Sequence, residues 1–184
     1  MKSRIFNVVR IFAIMICVGF FQDAASQEIA DHYVYSHSWC YAIGEDSMFC
    51  SEVGTMDYEA DGSALDHAFQ TYLLKSKDGE QYEWTFDYFS PSFWHRQGDD
   101  FFFKGDSASF SMKLFSNIME SDVNVDPDWY QYYADEIITS VSRNIAKETK
   151  FHIAELSECR FVWSYTYRDG HTDYWEFLRP KYSK

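Results

Sequence analysis

Apolar and polar side chains alternate with a period of two along most of the chain. Tyr33, Tyr35, His37, Trp39 and Tyr41 share one side of an extended segment, and Tyr82, Trp84, Phe86 and Tyr88 share one side of another, with Glu83, Thr85 and Asp87 between them. Ala108, Phe110, Met112 and Leu114 repeat the pattern, as do Cys159, Phe161, Trp163, Tyr165 and Tyr167. Successive side chains of a strand point to opposite faces, so this spacing predicts half-buried strands with one apolar and one wet wall. Strands are expected over 33–43, 49–59, 63–76, 80–90, 100–105, 107–115, 151–157, 159–168 and 171–179. Asp61-Gly62, Asp78-Gly79 and Asp169-Gly170 fall between these runs, where two-residue hairpin turns need positive φ. Connections that short make neighbouring strands antiparallel.

The period changes once. Trp129, Tyr133, Ile137, Val141 and Ile145 recur every four residues, widened by Tyr130, Ala134 and Ile138. Asp126 is placed to cap this stretch, Pro127 suits its first position, and Lys147 and Lys150 lie where cations meet the last carbonyls, so a helix is expected near 127–148. Its polar side carries Gln131, Asp135, Ser142 and Glu148, which argues against a face for anionic lipid.

Eight or nine antiparallel strands must hide their edges. The expected fold is therefore mainly β, an up-and-down barrel of eight or nine strands with one long helix. Composition agrees with a packed domain: 184 residues, 46% hydrophobic and 20% aromatic, with only 8 Gly and 3 Pro. The formal charge of −13 excludes nucleic acid as a natural partner, because phosphate binding needs clustered Lys and Arg.

Lys2, Arg4 and Arg10 precede an apolar run from Ile11 to Phe21, and Ala24-Ala25-Ser26 follows. This is the pattern of a secretory signal peptide over 1–26, cut before Gln27, with an uncleaved anchor as the alternative. A membrane-crossing helix needs about 20 apolar residues, more than this run supplies. The domain over 27–184 would then be secreted or periplasmic, without membrane insertion after cleavage. Three cysteines remain for an oxidising compartment. Cys40 and Cys50 stand equally far from Glu45, around the turn-forming Gly44-Glu45-Asp46-Ser47, so a hairpin folded there would set them opposite each other as a disulfide. Cys159 bridging to either one is the alternative, and otherwise it is expected as a buried thiol on its strand.

The order of signal, strand bearing Trp39, the segment Gly54-Thr55-Met56-Asp57-Tyr58-Glu59-Ala60-Asp61-Gly62, and Ile153-Ala154-Glu155-Leu156-Ser157 before a final hairpin ending at Leu178-Arg179 resembles the secreted bacterial lipocalin-like domains. The likeness covers most of the mature chain on short motifs. It implies an eight-stranded barrel with room for a small ligand, and an Arg from the barrel's end stacked over the first-strand Trp, here Arg179 on Trp39. His37 stands where lipocalins carry the Gly of Gly-x-Trp, and the helix comes earlier than theirs.

Catalytic and metal motifs give little. The acidic spacing of Asp57 to Gly62 is that of a calcium loop, but its twelfth place is Ala68, so the bidentate ligand is missing. The six His residues show no zinc spacing, and Gly105-Asp106-Ser107-Ala108 lacks the strand-turn-helix context of a serine nucleophile. No metal or cofactor is expected. What stands in excess is aromatic: Tyr33, Tyr35, Tyr82, Trp84, Phe86, Tyr88, Phe161, Trp163 and Tyr165 lie on faces that a barrel turns inward. Rings with polar tips around a hollow suit a small apolar or amphipathic molecule, so the expected role is an exported, non-catalytic binder. The alternative is a protein-interaction or inhibitor module with a filled barrel, docking through loops such as Phe89 to Asp100 with Phe93 and Trp94. A third is a hydrolase or isomerase using Asp, Glu and His at the barrel mouth, to be recognised by a perturbed carboxylate or His at the cavity.

Overall fold

The structure, a computed structural model, describes residues 28–43, 46–116 and 127–182. The expected export signal, the capping Asp126 and the side chain of Tyr41 lie outside the described residues. The elements are β1 (His32–Ile43), β2 (Asp46–Tyr58), β3 (Ser63–Lys75), β4 (Gln81–Gln97), β5 (Asp100–Gly105), β6 (Ser111–Ser116), α1 (Pro127–Ile145), β7 (Thr149–Leu156), β8 (Arg160–Thr166) and β9 (Thr172–Leu178). Eight strands pair antiparallel in the ring β1-β2-β3-β4-β5-β7-β8-β9 and back to β1, which is the closed up-and-down barrel that the alternation predicts.

Closure is concentrated at one end. β4 pairs with β5 through Ser92–Gln97, whereas its Thr85–Phe89 stretch pairs with β6. β1 meets β9 only at Val34↔Leu178 and Tyr35↔Phe177. At the closed end the interior is solid with rings. Tyr33, Tyr58, Trp94, Phe101, Phe161 and Phe177 are all at most 4% exposed, and Tyr58 meets all five of the others edge-on. At the other end α1 packs on the inner face of β4. Trp84 lies against Tyr130 at 4.9 Å between ring centroids, with Trp129 and Tyr133 at 6.1 Å. The indole N–H of Trp84 donates to the Tyr130 carbonyl (3.3 Å), and the Tyr130 hydroxyl donates to the Glu83 carbonyl (2.5 Å).

The three Asp-Gly turns are longer than two residues, and all three are built alike. The N–H of Gly62, Gly79 and Gly170 donates to the carbonyl three residues before it, at 3.0–3.1 Å, and the residue after each Gly closes the hairpin. Each Gly has φ between 87° and 90°. This is a β-turn followed by a left-handed residue, the usual form of a three-residue hairpin loop.

Several expectations need correction. Cys40 and Cys50 are not joined: Trp39 pairs with Cys50 and Cys40 with Phe49. The Ile43–Asp46 pair sets the hairpin axis half a residue away from the position that would match the cysteines. A one-residue offset flips a side chain to the other face, so Cys50 is buried within and Cys40 exposed outside. Cys159, expected to be buried, is exposed just before β8, beside the Ser157 hydroxyl. Residues 89–100 are not a docking loop, because β4 runs on to Gln97 and buries Trp94, leaving Phe93 on the outer face. Pro91 sits in the stretch where β4 changes neighbour from β6 to β5, so its missing N–H costs no pairing on that side. Ser107–Ser109 form a turn held by Asp106 rather than the start of a strand.

Gly54 marks the tightest approach inside the wall. A Cβ there would lie 2.5 Å from the His67 carbonyl oxygen and 2.6 Å from the Ala68 Cβ. Backbone offers no flexible end to move aside, so Gly54→Ala is expected to lower unfolding free energy by about 1–3 kcal/mol, read as an earlier urea midpoint.

Candidate functional site

Between the inner face of β1–β4 and α1 lies a cavity of about 430 Å³. Its helix wall is Ile137, Val141 and Ile145, with the polar Ser140 and Asn144 beside them; Trp39, Tyr72 and Tyr88 supply rings from the barrel. Its floor is polar, formed by Glu52, Asp66 and Gln70. The register explains why these groups meet. Tyr35 lies opposite Gly54, Gly54 opposite Ala68, and Glu52 and Asp66 flank that small pair from β2 and β3. The two residues with little or no side chain leave room for the Tyr35 phenol to reach both acids.

The Tyr35 hydroxyl is 2.7 Å from Asp66 Oδ1 and 3.0 Å from Glu52 Oε1. The Gln70 amide donates to the same Glu52 oxygen at 2.8 Å, and the Tyr72 hydroxyl donates to the Gln70 carbonyl oxygen at 3.1 Å. Asp66 is 7% exposed. Burial, then the charge of Glu52, pushes the Asp66 carboxyl well above the usual carboxylate range, against the hydrogen bond from Tyr35. Burial raises Glu52 as well, opposed by the hydrogen bonds from Gln70 and Tyr35. Asp66 therefore keeps its proton more firmly, while Glu52 collects the donors. The phenols of Tyr35 and Tyr88 are raised by burial first and by the two acids next, so they stay protonated donors. His37, the cross-strand neighbour of Glu52, is lowered by burial, and its ring stacks on Trp39 and lies against Trp175.

Of the nine rings expected to line a ligand space, Tyr88 lines the cavity and Tyr35 anchors its floor. Tyr33, Phe161 and Trp163 belong to the solid end. Tyr82 and Trp84 face α1, and Phe86 packs on Tyr72. Tyr165 lies partly exposed between Phe151 and Tyr167. Arg179 does not stack on Trp39. It covers the Tyr33 ring at 5.5 Å, pairs with Asp31 at 2.9 Å and donates to the carbonyls of Glu28 and Glu158. The cause is register: Leu178 pairs with Val34, which leaves Arg179 beside Tyr33, six residues and about 20 Å of strand from Trp39.

Glu52, Asp66 and Gln70 were not singled out from the sequence. The signal they carry is phase, since each is polar at a position whose neighbours two residues away turn inward. Among the described residues no group of three or more His, Cys, Asp and Glu is placed to hold a metal ion, and no helix is long and apolar enough to cross a membrane. No protein-family model matches the chain, and no curated protein matches it.

Proposed function

We propose that this protein is an exported, non-catalytic binder that holds one small amphipathic molecule between α1 and the inner wall of the barrel. The observation that carries this reading is the cavity of about 430 Å³ with an apolar helix side and a polar floor. Small-molecule sites begin at roughly 300 Å³ and combine an apolar lining with a few oriented polar groups. Asp66 and Glu52 are the perturbed carboxylates that a hydrolase or isomerase would also call for. Both are engaged by Tyr35, however, and Glu52 by Gln70 as well, which suits recognition of a bound group without a chemical step. The basic, apolar and small-residue segments of the first 26 residues support delivery to a secreted or periplasmic location.

Native mass spectrometry of protein purified from its own compartment tests the reading. An added mass that disappears on denaturation is expected, and Val141→Trp, which fills the cavity from its helix side, is expected to lose it. An added mass retained by Val141→Trp would place the molecule elsewhere, and no added mass in repeated preparations would remove the reading. A second reading, a protein-interaction module, draws on the outer face, where Val53, Phe69 and Phe115 are 58%, 46% and 68% exposed and the Phe69 and Phe115 rings lie 5.2 Å apart. Val141→Trp leaves that face intact, so partner binding that survives it belongs to the surface.

A further inference from the structure

Two acids in one cavity need more donors than the protein gives them. The Tyr35 hydroxyl has a single proton to offer, yet its oxygen lies within hydrogen-bond distance of both Glu52 and Asp66. The remaining groups that face the pair are neutral: Gln70 and Tyr72 from β3, Tyr88 from β4, and Ser140 and Asn144 from α1. Among the described residues no Lys or Arg lines the cavity. His37 is cross-strand from Glu52, and burial holds it toward its neutral form against the charge of Asp173. At the closed end of the barrel the cation present, Arg179, lies over the Tyr33 ring and is already paired with Asp31. Two buried like charges without a counterion are costly, whereas a cation between them lets both ionise.

We infer that the molecule held in this cavity is an amphipathic amine, its ammonium group seated between Glu52 and Asp66 and its apolar body lying along Ile137 and Val141. The inference rests on the binding reading above. An ammonium has three N–H donors and one positive charge, enough to bridge both carboxylates while Tyr35 and Gln70 keep their bonds. Metal ions are a poorer fit, because a hard cation asks for six or more oxygens and this floor offers two carboxyl groups and one amide oxygen already engaged by Tyr72. On binding, the proton held by the acid pair leaves to solvent as the ammonium replaces it, so charge balances without any covalent change.

Titration calorimetry of the full mature chain with octylamine, octanol and octanoate, near pH 7.5, tests this. Octylamine is expected to bind about tenfold more tightly than octanol, the difference between a charge-assisted and a neutral hydrogen bond, with octanoate weakest. Its apparent heat should vary with the ionisation heat of the buffer, showing proton release, whereas that of octanol should not. Glu52→Gln and Asp66→Asn keep shape and should each bring octylamine down to the level of octanol. Equal affinity for octylamine and octanol in the wild-type chain overturns the amine inference and leaves the binding cavity standing. Failure of all three probes removes both. Octylamine affinity that persists in Val141→Trp reflects the acidic surface and also overturns it.

Discussion

Trp84→Ala is expected to lower unfolding free energy by about 3–5 kcal/mol, the usual cost of removing a large ring from a packed interior. Trp84 is 0% exposed and is the point at which α1 is fastened to the sheet. Its ring meets Trp129, Tyr130 and Tyr133, and its N–H holds the Tyr130 carbonyl. For a domain of this length each kcal/mol shifts the thermal midpoint by roughly 2–4 °C, so a drop of about 6–20 °C should be seen. The near-ultraviolet signal of the stacked rings should fall while the far-ultraviolet strand signal persists. Because the same helix forms one wall of the cavity, ligand retention should fall with it. Trp84→Phe keeps most of the ring contact and gives up the N–H bond, so it should cost only about 1 kcal/mol beyond lost packing. A Trp84→Ala chain with the wild-type midpoint would mean that α1 is held by something other than these rings.

The barrel was legible because its alternation is long and its turns carry Asp-Gly. β4 shows where that legibility stopped. Its inward positions, Tyr82, Trp84, Phe86, Tyr88, Ser90, Ser92 and Trp94, are buried in unbroken alternation, but Ser90, Pro91 and Ser92 look like a turn to a reader of composition. The chain stays extended because β3 pairs with it all the way from Gln81 to Phe93, a long-range contact that local sequence does not display. The cysteine pairing failed for a related reason. A hairpin joining β1 and β2 was read correctly but its axis was set at Glu45, half a residue off; register is fixed by the whole β1–β2 ladder, and that half residue decides which face a side chain takes.

The cavity floor was hidden by β3. Its inward set is Ala64, Asp66, Ala68, Gln70, Tyr72 and Leu74, and its outward set includes Leu65, Phe69 and Leu73. Both phases are comparably apolar, so alternation alone could not tell which faced the core, and Asp66 and Gln70 read as solvated. The rings were found readily but overcounted as lining. Large side chains fill space wherever the ring of strands closes, and here it closes around Tyr33, Phe101 and Phe161, while the space remains between α1 and the inward Glu52, Asp66 and Gln70.

Asp66→Asn is expected to stabilise the unliganded protein above neutral pH and to flatten its dependence on pH. An unfolded chain ionises this carboxyl near its ordinary value of about 3.9. Burial and the charge of Glu52 hold it well above that range in the folded state. The folded protein therefore binds more protons across the interval, and the stability present below the ordinary value is lost as pH rises toward the raised one. Each unit of difference amounts to about 1.4 kcal/mol. Thermal midpoints of the wild-type chain should fall from pH 4.5 to pH 8, and those of Asp66→Asn should fall less, the two curves converging at the acid end. The surface pairs His32–Asp57, His67–Asp87 and His171–Asp173 are common to both chains, so their contribution cancels in the difference. Asparagine still accepts from Tyr35, which keeps the comparison to the loss of an ionisable group. Glu52→Gln should act in the same direction and more weakly, since Gln70 and Tyr35 already stabilise the Glu52 charge. A saturating amphipathic amine should raise the wild-type midpoint most at the alkaline end, where the cost of the ionised pair is greatest, and should raise the Asp66→Asn midpoint less, by no more than octanol does. Should Asp66→Asn instead be less stable than wild type at pH 8, the carboxyl is ionised and compensated in the folded chain, and the charge balance of the cavity is the reverse of the one derived from its neighbours.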